Sequence, residues 1–174
     1  VDVMTFTGST RTGKQLLKDA GESNMKRVWL EAGGKSANIV FADCPDLDQA
    51  AASAAAGIFY NQGQVCIAGT RLLVEASIKD AFLARVKAHA QSFTPGDPLD
   101  PQTTMGTLID DDHAASVRRY IELGQAQGAT LWLDGRAQPH SACVGPTIFT
   151  DVDNQMRVAR EEIFGPVLAV TTFT

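Results

Sequence analysis

The sequence has few of the features that would place it in a membrane, on nucleic acid or in an oxidising compartment. Its three cysteines, Cys44, Cys66 and Cys143, share no CxxC spacing, so we expect neither a disulfide framework nor a metal site. The longest apolar runs, such as Ala54–Tyr60, are too short to span a bilayer. The formal net charge is −5 without a basic block, which disfavours nucleic acid and anionic membranes as partners. We therefore expect a cytoplasmic protein.

What the sequence does contain is enough apolar material for a hydrophobic core. It has 174 residues, of which 44% are hydrophobic and 20% are charged, a composition typical of globular domains. The chain opens at Val1 inside one strand-like run and stops at Thr174 inside another. Because domain boundaries usually fall in exposed linkers, we expect an internal piece of a longer protein.

Apolar runs separated by helical patterns indicate the fold class. Several runs are nearly continuous rather than alternating, which is typical of strands covered on both faces. Strands alternating with helices predict an α/β fold with a mainly parallel sheet and flanking helices. The predicted strands are Val1–Phe6, Arg27–Leu30, Ala37–Phe41, Arg71–Val74, Ala129–Leu133, Thr147–Phe149 and Val167–Phe173.

Capping residues predict where three helices begin. Asp46 precedes the alanine-rich stretch, Ser77 and Asp80 have the spacing of a capping box, and Asp111 or Asp112 could begin a third helix.

The three histidines, His89, His113 and His140, lie in polar contexts and are interpreted as solvated surface residues.

The stretch "FTGSTRTGK" allows two interpretations. Gly8, four residues, Gly13 and Lys14 have the spacing of a phosphate-binding loop. A nucleotide hydrolase would need Ser or Thr after the lysine to hold Mg²⁺, and position 15 is Gln15. The alternative is a glycine-bearing turn between a strand and a helix, whose free N–H groups could still receive a phosphate.

Cys66 follows the polar stretch "NQGQ" rather than lying in an apolar stripe. Backbone N–H groups in such a glycine-flanked turn can stabilise a thiolate or an oxyanion. Spacing alone leaves two interpretations open, a catalytic thiol or an incidental one. In a non-catalytic binding module Cys66 would react no faster than Cys44.

Four motifs together resemble the signature motifs of the NAD(P)-dependent aldehyde dehydrogenases, in the order found in that family. They are "FTGST" (6–10), "LEAGGKS" (30–36), "NQGQVC" (61–66) and "EEIFGPV" (161–167). The resemblance implies that residues 1–33 end the NAD-binding, Rossmann-like domain and that residues 34–174 form most of the catalytic domain. Ala32 replaces the leucine of most members. The stretch around it is most similar to the subgroup that oxidises γ-glutamyl-γ-aminobutyraldehyde in bacterial putrescine breakdown.

The resemblance also implies a reaction with two catalytic residues. Cys66 would be the nucleophile that forms a thiohemiacetal and then a thioester, and Glu31 would activate the water that hydrolyses the thioester. Without the motif, Glu31 would be an ordinary carboxylate at the end of a strand.

Further residues are implied for the cofactor and the substrate. The cofactor is NAD, with NADP as the alternative. Gly8 and Ser9 would lie beside the pyrophosphate at the start of a helix. The implied cofactor-binding residues are Gly8, Ser9, Gly13, Glu162 and Phe164, and those implied to line the aldehyde tunnel are Tyr60, Val65 and Ile67. Core packing is the alternative for the last three.

Two expectations concern the protein as a whole. The 174 residues match only the central portion of a family subunit and lack one oxyanion donor, so we expect this chain alone to be inactive. The full-length protein is expected to be a homo-oligomer acting on γ-glutamyl-γ-aminobutyraldehyde or a related amino-aldehyde.

Overall fold

The computed structural model describes residues 1–138 and 140–174, which form two compact units, Val1–Gly34 and Lys35–Thr174. The strands are β1 (Val3–Gly8), β2 (Arg27–Ala32), β3 (Ala37–Val40), β4 (Arg71–Glu75), β5 (Thr130–Leu133), β6 (Thr147–Thr150) and β7 (Val167–Phe173). The α-helices are α1 (Thr10–Glu22), α2 (Leu47–Phe59), α3 (Lys79–Ala90), α4 (Asp111–Ala126) and α5 (Arg157–Arg160).

The first unit is a βαβ arrangement in which β1 and β2 pair in parallel and α1 connects them. Ser9 caps α1, because its hydroxyl accepts a hydrogen bond from the N–H of Thr12 at 3.2 Å. Gly13 is buried in α1, and a Cβ added there would lie 3.1 Å from Leu30. The small residue therefore lets the helix approach β2 closely.

The second unit is built on a five-stranded sheet with the order β3-β4-β7-β6-β5. The neighbouring pairs are parallel except for β5 and β6, which are antiparallel. The predicted α/β fold with a mainly parallel sheet is therefore confirmed.

Helices cover both faces of the central strands. On β7, Leu168 and Val170 belong to a core formed with α2 and α3, whereas Val167 and Ala169 belong to a core formed with α4 and α5. Successive side chains of a strand point to opposite faces, so a strand buried on both faces carries an uninterrupted apolar run. The edge strand β3 is less buried than the central strands, because Ile39 is 54% exposed.

One predicted helix start is wrong in detail, and two are confirmed. Asp46 caps α2 through the N–H groups of Asp48 and Gln49. α4 begins at Asp111, as predicted, and the side chain of Asp110 caps it. No capping box precedes α3, because the Ser77 hydroxyl donates to Glu75 instead.

In the described part of the chain, no helix is both long enough and apolar enough to cross a membrane.

Candidate active site

Cys66 lies in a tight turn between α2 and β4. The N–H of Ala68 donates to the carbonyl of Val65 at 3.1 Å, so Cys66 and Ile67 occupy the centre of a four-residue turn. The N–H groups of Cys66 and Ile67 take no part in this hydrogen bond. The Cys66 side chain is exposed. An exposed thiol thus lies beside two backbone donors of the kind that stabilise an oxyanion.

The residues before this turn have an unusual backbone. Asn61, Gln62 and Gly63 have φ values of 48°, 56° and 69°, so three consecutive residues adopt the left-handed conformation that only glycine adopts routinely. Such backbone persists only where neighbouring contacts enforce it, and it is most frequent at functional sites. The Asn61 amide donates to the carbonyl of Gln64 at 3.1 Å, and the Gln64 side-chain oxygen accepts from the N–H of Ile109 at 3.1 Å.

The left-handed run packs directly on the segment that precedes β7. A Cβ added at Gly63 would lie 2.3 Å from the carbonyl oxygen of Gly165 and 2.9 Å from the nitrogen of Pro166. The backbone of the cysteine loop therefore contacts the backbone of "EEIFGPV". The fold brings these two motifs together, although about 100 residues separate them.

Glu161 fixes the start of this segment. Its carboxylate accepts hydrogen bonds from Arg157 Nε at 2.6 Å, from Arg157 Nη2 at 2.8 Å and from the Tyr120 hydroxyl at 2.7 Å. The hydrogen bond from Arg157, followed by that from Tyr120, lowers the pKa of Glu161 to about 2. Glu161 is thus an anchor between α5 and α4, and Glu162 remains the residue predicted to bind the ribose.

Phe164 lies in the middle of the segment, and His113 holds its backbone. Phe164 has a φ of 58°, and the residue is 38% exposed. His113 Nε2 donates to the Phe164 carbonyl at 2.7 Å. The interpretation of His113 as a solvated surface residue is therefore wrong, because this contact depends on the tertiary fold. His89 also has a partner, with its Nε2 at 3.3 Å from Asp48.

Lys35 is not among the residues that the sequence analysis identified, and its environment is unusual. Its ammonium nitrogen is buried and has no hydrogen-bond partner among the described residues. Burial, followed by the charge of Arg71, lowers the pKa of Lys35 to about 8, whereas the carboxylates of Glu162 and Glu161 oppose this shift. A buried amine therefore lies near the carboxylate predicted to bind the ribose.

The predicted residues of the first unit lie at one edge of its sheet. Glu31 pairs with Thr7 and Ala32 pairs with Gly8 at the carboxyl ends of the two parallel strands. Ser9 follows at the N-terminus of α1. Glu31 is exposed, so residues of its own unit do not enclose the carboxylate.

The three predicted tunnel residues differ in their environments. Tyr60 and Ile67 are 73% and 78% exposed, respectively, so core packing does not account for them. Val65 is partly buried against the core that α2 and α3 form with the sheet, which agrees with the alternative of core packing. Two large apolar side chains close to Cys66 in the sequence are therefore exposed and do not contribute to the core.

The other cysteines are less accessible than Cys66. Cys143 is fully buried, which raises the pKa of its thiol, and Cys44 is half-buried with its sulfur 3.5 Å from the carbonyl oxygen of Asp46. Across residues 1–138 and 140–174, no group of three or more His, Cys, Asp or Glu side chains could hold a metal ion.

The phosphate-loop interpretation of the first motif does not fit the structure. The N–H of Gly13 already donates to Ser9 inside α1, and Lys14 is exposed on the same helix. In a phosphate-binding loop the glycines form a loop before the helix. Here only Gly8 and Ser9 precede the helix.

Comparisons with known proteins agree with the fold and with the motifs. The chain is 70% identical to the NADP/NAD-dependent aldehyde dehydrogenase PuuC of Escherichia coli (strain K12), over 100% of the chain and 35% of that protein. It matches a crystal structure of indole-3-acetaldehyde dehydrogenase complexed with NAD⁺ with a TM-score of 0.96 and 57% identity, over 99% of the chain and 36% of that structure. It also matches γ-glutamyl-γ-aminobutyraldehyde dehydrogenase from Burkholderia cenocepacia J2315 with a TM-score of 0.94 and 49% identity, over 99% of the chain and 35% of that structure.

The fold and the site define an α/β protein with an exposed cysteine in a turn that follows a left-handed backbone run. The model of the aldehyde dehydrogenase family matches residues 1–174. The chain therefore belongs to the aldehyde dehydrogenase family. It spans about a third of the length of the relatives it matches.

Proposed function

We propose that the full-length protein containing this chain oxidises an aldehyde to a carboxylic acid with NAD, using Cys66 as its nucleophile. The observation that carries this proposal is the exposed thiol of Cys66, which lies in a turn that follows a left-handed backbone run. That run packs against the segment carrying Glu162 and Phe164. Family membership supports the same activity.

The first half of the reaction takes place on Cys66. Its thiolate adds to the aldehyde carbon, which forms a carbon–sulfur bond and turns the carbonyl oxygen into an alkoxide. The N–H groups of Cys66 and Ile67 are the local donors that can stabilise this oxyanion. NAD supplies the hydride acceptor, and loss of hydride from the same carbon re-forms the carbonyl as a thioester.

The second half of the reaction requires a base, and Glu31 is the candidate. A carboxylate that takes a proton from water allows the oxygen to add to the thioester carbon. The carbon–sulfur bond then breaks, which releases the carboxylic acid and restores the Cys66 thiolate. In total, one aldehyde, one NAD and one water give one acid, one NADH and one proton.

The residues of the first unit fit a dinucleotide diphosphate. The first N–H groups of a helix have no intrahelical partner, and those of Thr10 and Arg11 precede the first intrahelical bond of α1, from Gly13 to Ser9. The helix dipole at this end favours an anion. At Gly8 an added Cβ would lie 2.5 Å from the ring of Phe6, so glycine lets the Phe6 ring pack against the backbone beside Ser9.

In the second unit, Glu162 and Phe164 are proposed to bind the nicotinamide ribose and ring. The Phe164 ring is partly exposed and can therefore present an apolar face to a planar ligand. Similarity to a structure containing NAD⁺ supports NAD as the cofactor, and the name of the E. coli relative supports the use of NADP as well.

The proposed substrate is γ-glutamyl-γ-aminobutyraldehyde or a related amino-aldehyde. The similarity to the Burkholderia cenocepacia enzyme supports this choice, whereas the similarity to the indole-3-acetaldehyde enzyme supports an aromatic aldehyde. A comparison of kcat/KM for the two aldehydes decides between them, and a higher value for the indole compound would overturn the substrate proposal.

We further propose that the full-length protein is a homo-oligomer and that it is located in the cytoplasm.

Steady-state formation of NADH tests the proposed activity. The full-length protein should reduce NAD in the presence of aldehyde, and Cys66→Ala should abolish this reaction. Cys44→Ala is the matched control, because Cys44 is a half-buried thiol that packs against the core and hydrogen-bonds a backbone carbonyl. The rate of this variant should remain close to that of the wild type. An active Cys66→Ala protein would contradict the proposal.

A further inference from the structure

One face of α4 holds the segment that carries Glu162 and Phe164. The Tyr120 hydroxyl donates to Glu161, and His113 donates to the Phe164 carbonyl. Between them, Val117 packs so closely on Gly165 that an added Cβ would lie 2.7 Å from a Val117 methyl group. His113, Val117 and Tyr120 are spaced i, i+4 and i+7, which places them on one side of a helix.

His113 is itself held in place by neighbouring hydrogen bonds. Its backbone N–H donates to the Asp110 carboxylate at 2.7 Å, which caps α4. The adjacent N–H of Ile109 donates to Gln64, two residues before Cys66, at 3.1 Å. The first turn of α4 is therefore fixed to the cysteine loop on one side and to Phe164 on the other.

Phe164 needs such support because of its backbone conformation. A bulky side chain at a φ of 58° is strained and persists only where surrounding contacts enforce it. The carbonyl that His113 holds belongs to the strained residue itself. The two rings also contact each other, with their centroids 6.2 Å apart and an angle of 60° between them.

We propose that His113 is a positioning residue, which fixes the Phe164 backbone so that the Phe164 ring is presented to the nicotinamide. This inference rests on the proposed function, in which Phe164 packs against the cofactor. A carbonyl can only accept a hydrogen bond, so Nε2 of His113 carries the proton. The contact therefore requires a donor at the position of Nε2, and it does not require the charge of an imidazolium.

Three substitutions in the full-length protein test this requirement. His113→Ala removes the donor, and His113→Gln places an amide N–H close to the position of Nε2. His113→Asn places an amide N–H nearer the position of Nδ1, where it cannot reach the carbonyl. The dissociation constant for NAD⁺, measured by isothermal titration calorimetry, should rise about fivefold for the Ala and Asn variants, as expected for one lost hydrogen bond. The Gln variant should stay within about twofold of the wild type.

A double-mutant cycle with Phe164→Ala separates positioning from general stability. If His113 acts through the Phe164 ring, His113→Ala should change NAD⁺ affinity by less than about twofold once that ring is absent. His140→Ala, which alters an exposed histidine, is the control and should leave the affinity unchanged. The melting temperature of each variant checks that the fold is retained.

The outcomes distinguish the two proposals. If Phe164→Ala leaves NAD⁺ affinity unchanged, the proposed role of Phe164 in cofactor binding is wrong. If Phe164→Ala weakens binding but His113→Ala does not, only the positioning role of His113 is wrong. An equal effect of His113→Ala with and without the Phe164 ring, or a failure of the Gln variant to restore affinity, would also overturn the positioning role.

Discussion

Gly63 contacts the backbone of Gly165 so closely that a Cβ on Gly63 would lie 2.3 Å from the Gly165 carbonyl oxygen. This contact joins the loop that carries Cys66 to the segment that carries Glu162 and Phe164. Gly63 also has a φ of 69°, which favours glycine over any residue with a side chain. Two independent features therefore exclude a Cβ at this position.

We expect Gly63→Ala to destabilise the protein and to abolish aldehyde oxidation. Backbone atoms cannot move aside as a flexible side chain can, so overpacking and left-handed strain should together lower the free energy of unfolding by about 3 kcal/mol or more. Thermal unfolding of the full-length protein measures this loss.

Gly57→Ala is the matched control for this substitution. Gly57 lies in α2, and no heavy atom is within 4 Å of an added Cβ, so the change should be neutral or stabilise the helix by up to about 1 kcal/mol. A Gly63→Ala protein as stable as Gly57→Ala would show that the contact with Gly165 is not required.

The three cysteines should react at different rates. Iodoacetamide should label Cys66 first, because its thiol is exposed, whereas Cys143 is buried and has a raised pKa. Cys44 should be intermediate, since it is half-buried. Peptide mass spectrometry of the native protein over time gives the order, and equal labelling of the three residues would count against an activated Cys66.

Local sequence patterns predicted the fold well, because they reflect the burial of each strand. The apolar run of β7 indicated a strand covered on both faces, and Asp46 was identified as a cap from its position alone. The roles of Cys66 and Glu31 came from motifs, since neither spacing nor composition distinguishes a catalytic side chain from an incidental one.

The contacts that support the site could not be read from the sequence. Gln62 is not a residue expected in left-handed backbone, and its φ of 56° follows from the packing around it. His113 and Phe164 are 51 residues apart, and no local pattern pairs them. Lys35 looks like an ordinary exposed lysine until the fold buries its ammonium nitrogen.

The buried amine of Lys35 should make stability depend on pH. Its pKa of about 8 in the folded chain is below its ordinary value of 10.5. The unfolded state therefore holds more protons than the folded state between these values, so stability should rise as pH increases from about 8 to 10.5. The cost of the buried charge is fully present below pH 8 and amounts to up to about 3 kcal/mol.

Lys35→Met tests this expectation. The substitution should raise the melting temperature of the full-length protein at pH 7, and its advantage over the wild type should shrink towards pH 10. Lys14→Met, at an exposed position, should show no such pH-dependent difference. A Lys35→Met protein that is less stable than the wild type at pH 7 would mean that attraction to Glu162 and Glu161 outweighs the cost of burial.

Cys66 and Glu31 are proposed to divide one reaction between them, and Glu31→Gln in the full-length protein separates its two halves. Glutamine keeps the size of the side chain but cannot take a proton from water. Stopped-flow absorbance should therefore record one rapid burst of NADH, about one per active site, followed by slow or absent turnover. Intact-mass analysis should find the acyl group on Cys66. If Glu31 chiefly deprotonates Cys66, the burst should instead vanish at neutral pH and return as the pH rises, and an unchanged steady-state rate would contradict any catalytic role for Glu31.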